Sequence, residues 1–211
     1  NLMRRISQAF SNFSPHWPLQ APPEDIAKYR GKYAGGWDRL RTSRHEQQKG
    51  MGLLDSKWEI SPRDTQAPDW EQDVTEKEWE AARMAVYAAQ VDRMDQGIGD
   101  VIGALRETGQ LENTIIVFLS DNGGRLTMPK QKGKELPRNH PLRNGKGTMY
   151  EGGIRVPFVV IGPGVQPGAV SRTSVTGLDL FPTIAELAGY DQPLPQALDG
   201  GSLTQVMSHR G

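Results

Sequence analysis

Three short stretches of this chain hold residues whose types and spacing could do chemistry. Asp121-Asn122-Gly123-Gly124 sets a carboxylate beside an amide oxygen and follows them with two glycines. Both are hard oxygen ligands, suited to Ca²⁺ or Mg²⁺ rather than to a thiophilic metal. The glycines would let the backbone turn sharply and approach a ligand, although Asp-Asn-Gly is also an ordinary turn sequence. Lys146 stands between Gly145 and Gly147, an ammonium on a bare, turning backbone. It could meet an oxyanion or simply face solvent. It does not belong to a P-loop, because Gly147 rather than Ser or Thr follows it and position 140 is His. His16 lies in the rigid run Pro15-His16-Trp17-Pro18, where an imidazole could act as acid, base or anion donor, or merely pack in the loop. His45, His140 and His209 stand in polar, charged stretches and read as solvated.

The elements that must position these groups are those of an α/β chain. A helix is expected from about Thr75 to Thr108, opened by a Thr75/Glu78 capping box and closed by Gly109. Tyr87, Val91, Met94, Ile98, Val101 and Leu105 recur at three and four and mark its core face. The unbroken β-branched run 114–120 predicts a strand buried on both faces, with Asp121 at its carboxyl end. Ligands gather at that end of the strands in open α/β sheets. Phe158–Ile161 predicts a second strand, and 179–188 a last helix that stops at Gly189. Residues 1–13 carry apolar positions at helical spacing; 14–23 form a proline-studded loop; 24–73 read as short helices and surface loop. Two long apolar strands are too few for a complete sheet of this class, so part of the sheet is expected to be missing.

Composition narrows the class. The chain has 211 residues, with 25 Lys+Arg against 25 Asp+Glu and a formal net charge of zero. That balance provides no field for nucleic acid or an anionic membrane. Cysteine is absent, which excludes disulfides and thiolate zinc sites. No apolar run reaches membrane-spanning length. The start, Asn1-Leu2-Met3-Arg4-Arg5-Ile6, has no signal-peptide stretch, so a cytoplasmic parent or an upstream targeting segment is expected. The high counts of Gly (24) and Pro (15) predict long loops between few regular elements.

Taken in order, these segments resemble the sulfatase family, in its arylsulfatase-like branch of the alkaline-phosphatase superfamily. The resemblance runs from about Ser14 to about Leu203. It rests on Pro15-His16-Trp17-Pro18-Leu19-Gln20-Ala21-Pro22, Tyr29-Arg30-Gly31-Lys32-Tyr33 with Gly36-Trp37-Asp38, and Val91-Asp92-Arg93-Met94-Asp95. It continues through Phe118-Leu119-Ser120-Asp121-Asn122-Gly123, Pro141-Leu142-Arg143 with Gly145-Lys146-Gly147-Thr148, and Glu151-Gly152-Gly153-Ile154-Arg155-Val156-Pro157. Asp179-Leu180-Phe181-Pro182-Thr183 and Leu198-Asp199-Gly200 close it.

The resemblance implies a single partial catalytic domain over 1–211, part of an alkaline-phosphatase-like three-layer sandwich with the N-terminal part of its sheet missing. Its blocks are a histidine loop at 14–23, a metal-site strand and loop at 114–124, and a lysine loop and strand at 141–162. It implies that Asp121 and Asn122 ligate a divalent cation, usually Ca²⁺ with Mg²⁺ as the alternative. Lys146 is implied to contact the sulfate, and His16 the sulfate or the leaving-group oxygen. The implied substrate is a small-molecule or carbohydrate sulfate ester, and the implied location periplasmic or secreted, with a cytoplasmic one open. The family nucleophile is a formylglycine made from Cys or Ser in a Cys/Ser-x-Pro-x-Arg motif, and no such motif occurs in this sequence. The nucleophile segment is therefore expected upstream, and this chain alone is expected to be inactive. A phosphonate or phosphate-ester hydrolase of the same superfamily, or an anion-binding remnant without turnover, are the alternatives.

Overall fold

The computed structural model describes residues 14–63, 67–125, 139 and 142–208. The expected helix over 1–13 and the positions of His140 and His209 lie outside the described residues. Among the described residues two compact units are present: those of 14–103 with 119–157, and those of 104–118 with 158–208. The mixed helix and strand content agrees with the expected α/β class.

The first unit is organised by α1 (Pro23–Tyr29), α2 (Gly36–Gly50) and most of α3 (Lys77–Glu107). Pro23 suits the opening of α1, where its missing N–H would be unpaired in any case. Asp25 on α1 is buried, and its carboxylate is met by Lys28 Nζ at 2.8 Å, Arg93 Nε at 2.7 Å and Gln96 Nε2 at 3.2 Å. Lys28 also reaches Asp92 at 3.1 Å. The Asp92-Arg93 pair of α3 thus clamps α1 onto the long helix. The Lys28 ammonium, with Gln96 and Arg93, holds the Asp25 carboxyl at about 2, against the desolvation that opposes it.

Gly36-Trp37-Asp38 builds a second anchor. Gly36 has φ +74°, and a Cβ there would enter the ring of Trp70. Trp37 meets Trp70 edge-on at 4.8 Å between centroids and donates from Nε1 to Pro68 O at 2.9 Å. Asp38 accepts from Trp70 N at 3.1 Å and pairs with Arg63 at 3.2 Å. Trp70 is consequently 2% exposed. The stretch 24–73, read as short helices and surface loop, therefore contains a 15-residue helix that ordinary amphipathic patterning does not announce. His45, read as solvated, is half-buried, and Trp58 O lies 3.0 Å from its Nε2.

Helix α3 ends as its glycine predicts. Gly109 has φ +67°, Gly109 N donates to Arg106 O at 3.1 Å and Gln110 N to Leu105 O at 2.8 Å, the paired bonds of a Schellman motif. Its most buried residues are Ala85, Ala89 and Gln90. Tyr87 of the expected apolar stripe is 48% exposed, so the deepest face, at Ala85, Ala89 and Gln90, is offset from that stripe.

The second unit contains β1 (Ile116–Leu119, its last residue falling in the first unit), β2 (Phe158–Ile161), α5 (Leu180–Leu187) and α6 (Thr204–Ser208). β1 and β2 form a two-stranded sheet. The expectation that 114–120 is buried on both faces is not met: Phe118 is 41% and Leu119 38% exposed. On β2, Val159 and Ile161 are 52% and 49% exposed. Two strands cannot cover each other's faces, so apolar side chains remain open to water. α5 matches the expected last helix and ends at Gly189, with φ +70°. Asp179 before it accepts from Gly201 N at 2.8 Å and Thr176 N at 2.6 Å, which lowers its carboxyl below the usual range. The Asp179-Leu180-Phe181-Pro182-Thr183 block is thus a structural clamp: Thr183 Oγ1 donates to Asp179 O at 2.5 Å and accepts from Leu203 N at 2.8 Å.

Candidate active site

The chain leaves β1 at Ser120, whose amide donates to Pro157 O at 3.4 Å and whose hydroxyl donates to Asn122 O at 3.0 Å. The second bond folds the backbone back on itself at the Asp121-Asn122 pair. Asp121 is exposed and Asn122 half-buried. Gly123 N then donates to Gly153 O at 3.0 Å, pinning this loop to α4 (Glu151–Ile154). A Cβ on Gly123 would collide with Gly152 O, and one on Gly152 with Asn144 O. Glycine is demanded here by contact between backbones.

The lysine loop packs on the same loop. Lys146 N donates to Gly124 O at 2.8 Å, and Gly152 N donates to Arg143 O at 2.8 Å. Thr148 closes the turn with its amide and hydroxyl on Gly145 O, at 3.1 and 2.8 Å. Asn144 has φ +57° and Gly147 φ +91°. The left-handed region is tolerated by Asn and free for Gly. The Lys146 side chain is exposed, so its ammonium is available to an anion. Arg143 stacks over the Tyr150 ring at 3.8 Å, which occupies its guanidinium in holding the loop.

Asn139 lies among these segments. Its Nδ2 reaches Asn144 O at 2.8 Å, Gly124 O at 3.1 Å and Gly152 O at 3.4 Å. No sequence pattern marks Asn139 as a site residue: it belongs to no periodic run, and its partners lie 5, 15 and 13 residues away.

His16 is positioned separately. Gln90 of α3, buried at 6% exposure, donates from Nε2 to His16 O at 2.8 Å. The His16 ring is exposed, with Nδ1 2.7 Å from Trp17 O. Ser14, His16, Trp17, Pro18, Gln20 and Gln90 line a concavity of about 310 Å³. The described hydrogen bonds of His16 run to Trp17 and Gln90; those of the lysine loop run to the Asp121–Gly124 loop and α4. The four expected site residues thus fall into one knitted cluster, Asp121, Asn122 and Lys146, and one histidine loop held from α3.

The donor chemistry of Asp121 and Asn122 fits a hard cation, two oxygens on a turn at a strand end. They make a minority of a shell: Ca²⁺ takes about six to eight oxygens, and no group of three or more His, Asp, Glu or Cys gathers for a metal among the described residues. No helix among them is long and apolar enough to cross a membrane.

Residues 10–190 match the family model described as Sulfatase. An uncharacterized sulfatase of Schizosaccharomyces pombe is 37% identical over 227 aligned residues, covering 90% of this chain and 41% of that protein. An arylsulfatase of Klebsiella aerogenes is 31% identical, covering 84% of this chain and 45% of its own length. Among solved structures, Ps i-CgsB in complex with k-i-k-neocarrahexaose is similar at a TM-score of 0.56 and 31% identity, covering 92% of this chain and 31% of that one. The chain spans less than half the length of each of these relatives.

Proposed function

From the premise that the chain belongs to the sulfatase family, we propose that it supplies the cation- and sulfate-handling part of an active site that hydrolyses sulfate esters. The observation that carries this reading is the 2.8 Å bond from Lys146 N to Gly124 O. It seats an ammonium-bearing turn against the loop that presents two oxygen ligands. Sulfate-ester cleavage builds negative charge on the leaving oxygen while the substrate is already anionic. Fixed cationic donors answer both demands without reorganising during the reaction.

In this reading Lys146 pairs with a sulfate oxygen. His16, held through its carbonyl by Gln90, donates to the sulfate or to the departing oxygen. Asp121 and Asn122 hold a divalent cation, most simply Ca²⁺, which when bound supplies positive charge to the reacting group. The nucleophile is a formylglycine outside these residues, since the sequence has neither Cys nor Ser-x-Pro-x-Arg. The hexaose bound by Ps i-CgsB supports a carbohydrate sulfate ester as the substrate class. The half-exposed Phe118, Leu119, Val159 and Ile161 support a wider sheet flanking β1 and β2, as a three-layer sandwich requires.

The experiment is an aryl sulfate assay on the whole gene product, with Lys146→Ala beside it. Turnover lost in the variant supports the reading; turnover that survives Lys146→Ala overturns the sulfate role of this loop. The 211 residues expressed alone are expected to be silent.

A further inference from the structure

We propose that Asn139 is the positioning residue of this site, the side chain that holds the Lys146 turn at a fixed place against the Asp121-Asn122 loop. The inference rests on the sulfate reading of Lys146 above.

The geometry is unusual for a loop asparagine. One carboxamide nitrogen faces three backbone carbonyls from three segments: Gly124 after the Asp121-Asn122 pair, Asn144 before Lys146, and Gly152 in α4. Its two hydrogens serve three oxygens, with the 3.4 Å contact to Gly152 the longest. All three partners are acceptors, so only the donor end of the amide can face them. The three carbonyl dipoles point toward one place, and without a donor they would repel one another.

The surrounding glycines show how tight the assembly is. A Cβ on Gly124 would collide with Asn139 Oδ1, and one on Gly152 with Asn144 O. The backbones are therefore packed around the carboxamide. Lys146 is two residues beyond Asn144 and its own amide is bound to Gly124. Asn139 thus fixes the Lys146 turn at both of its attachment points, while its nitrogen is spent on carbonyls rather than on substrate.

The test compares Asn139→Asp and Asn139→Ala with the wild type and Lys146→Ala. Asp keeps the size of Asn but places a carboxylate oxygen against the carbonyls. A packing role predicts that Ala is the worse variant; the donor role predicts that Asp is worse, with recovery as falling pH protonates its carboxyl and restores an O–H donor. Two readouts are taken on the whole gene product: hydrogen exchange at the Lys146, Gly123 and Gly152 amides, and affinity for inorganic sulfate by calorimetry. The expected result is exchange at these amides at least about tenfold faster in Asn139→Asp, with sulfate affinity reduced about tenfold or more, both reversing toward low pH. Unchanged exchange, or faster exchange with unaltered sulfate affinity, overturns the proposal. Asn139→Ala worse than Asn139→Asp at every pH overturns it in favour of packing. Equal sulfate binding by wild type and Lys146→Ala removes the sulfate reading itself and with it any positioning role, a failure distinct from those at Asn139.

Discussion

The amide of Lys146 donates to the carbonyl of Gly124 at 2.8 Å, three residues past Asp121. A single backbone bond therefore couples the lysine turn to the loop that carries Asp121 and Asn122. The position of the ammonium depends on main-chain geometry that a side-chain substitution at 146 leaves in place.

That separation makes Lys146 a clean test. Lys146→Ala in the active gene product should reduce kcat/KM for an aryl sulfate by about 100- to 1,000-fold, the usual effect of losing one preorganised donor to transition-state charge. The circular dichroism spectrum and urea midpoint should stay unchanged, because the side chain is exposed.

Asp121→Ala and Asn122→Ala each remove an oxygen ligand under the proposed cation assignment. Calorimetric titration with Ca²⁺ should show affinity weakened about tenfold or more in each, equivalent to about 1.4 kcal/mol. Equal Ca²⁺ affinity and equal turnover in both variants would leave Asp121-Asn122 as a turn without a ligand.

Gly152→Ala drives a methyl into Asn144 O and should lower stability by about 1–3 kcal/mol, as overpacking does. Gly103→Ala offers the contrast. It lies inside α3 with nothing within 4 Å of its Cβ position, so helix propensity should raise stability by up to about 1 kcal/mol. Urea unfolding of the two variants measures both signs.

Asp25 predicts a pH dependence. Its carboxyl is held at about 2, below the ordinary 3.8, first by Lys28 and then by Gln96 and Arg93. A depressed carboxylate contributes fully above its unfolded value and loses that contribution as pH falls through the folded one. The gap in urea midpoint between wild type and Asp25→Asn should therefore be full above about pH 4 and close as pH approaches 2. A gap that stays constant over that window would falsify the ion-pair account of the α1–α3 contact.

The histidine loop gives the last prediction. Gln90→Leu removes the donor to His16 O while keeping similar bulk on α3. It should lower kcat/KM for an aryl sulfate, and His16→Ala combined with it should add less than the two single effects sum to, since both act through one group. A fully additive double variant would separate Gln90 from His16.

Local chemistry made much of this protein legible in its sequence. Gly109 and Gly189 mark helix ends because a left-handed residue after the last turn is favoured only for glycine and few others. The runs that become β1 and β2 are visible because β-branched residues accumulate where strands form. Lys146 and the Asp121-Asn122 pair stand out because charge and amide oxygen beside glycine are uncommon outside turns and sites. Tertiary structure alone decided the rest. Asn139 gains its place only when carbonyls from residues 124, 144 and 152 converge. The burial of Asp25 requires Arg93 and Gln96, about 70 residues on, to meet it. Likewise, β1 reads as a strand covered on both faces, yet Phe118 and Leu119 are exposed, because apolar pattern specifies what a face prefers while burial depends on which neighbours reach it.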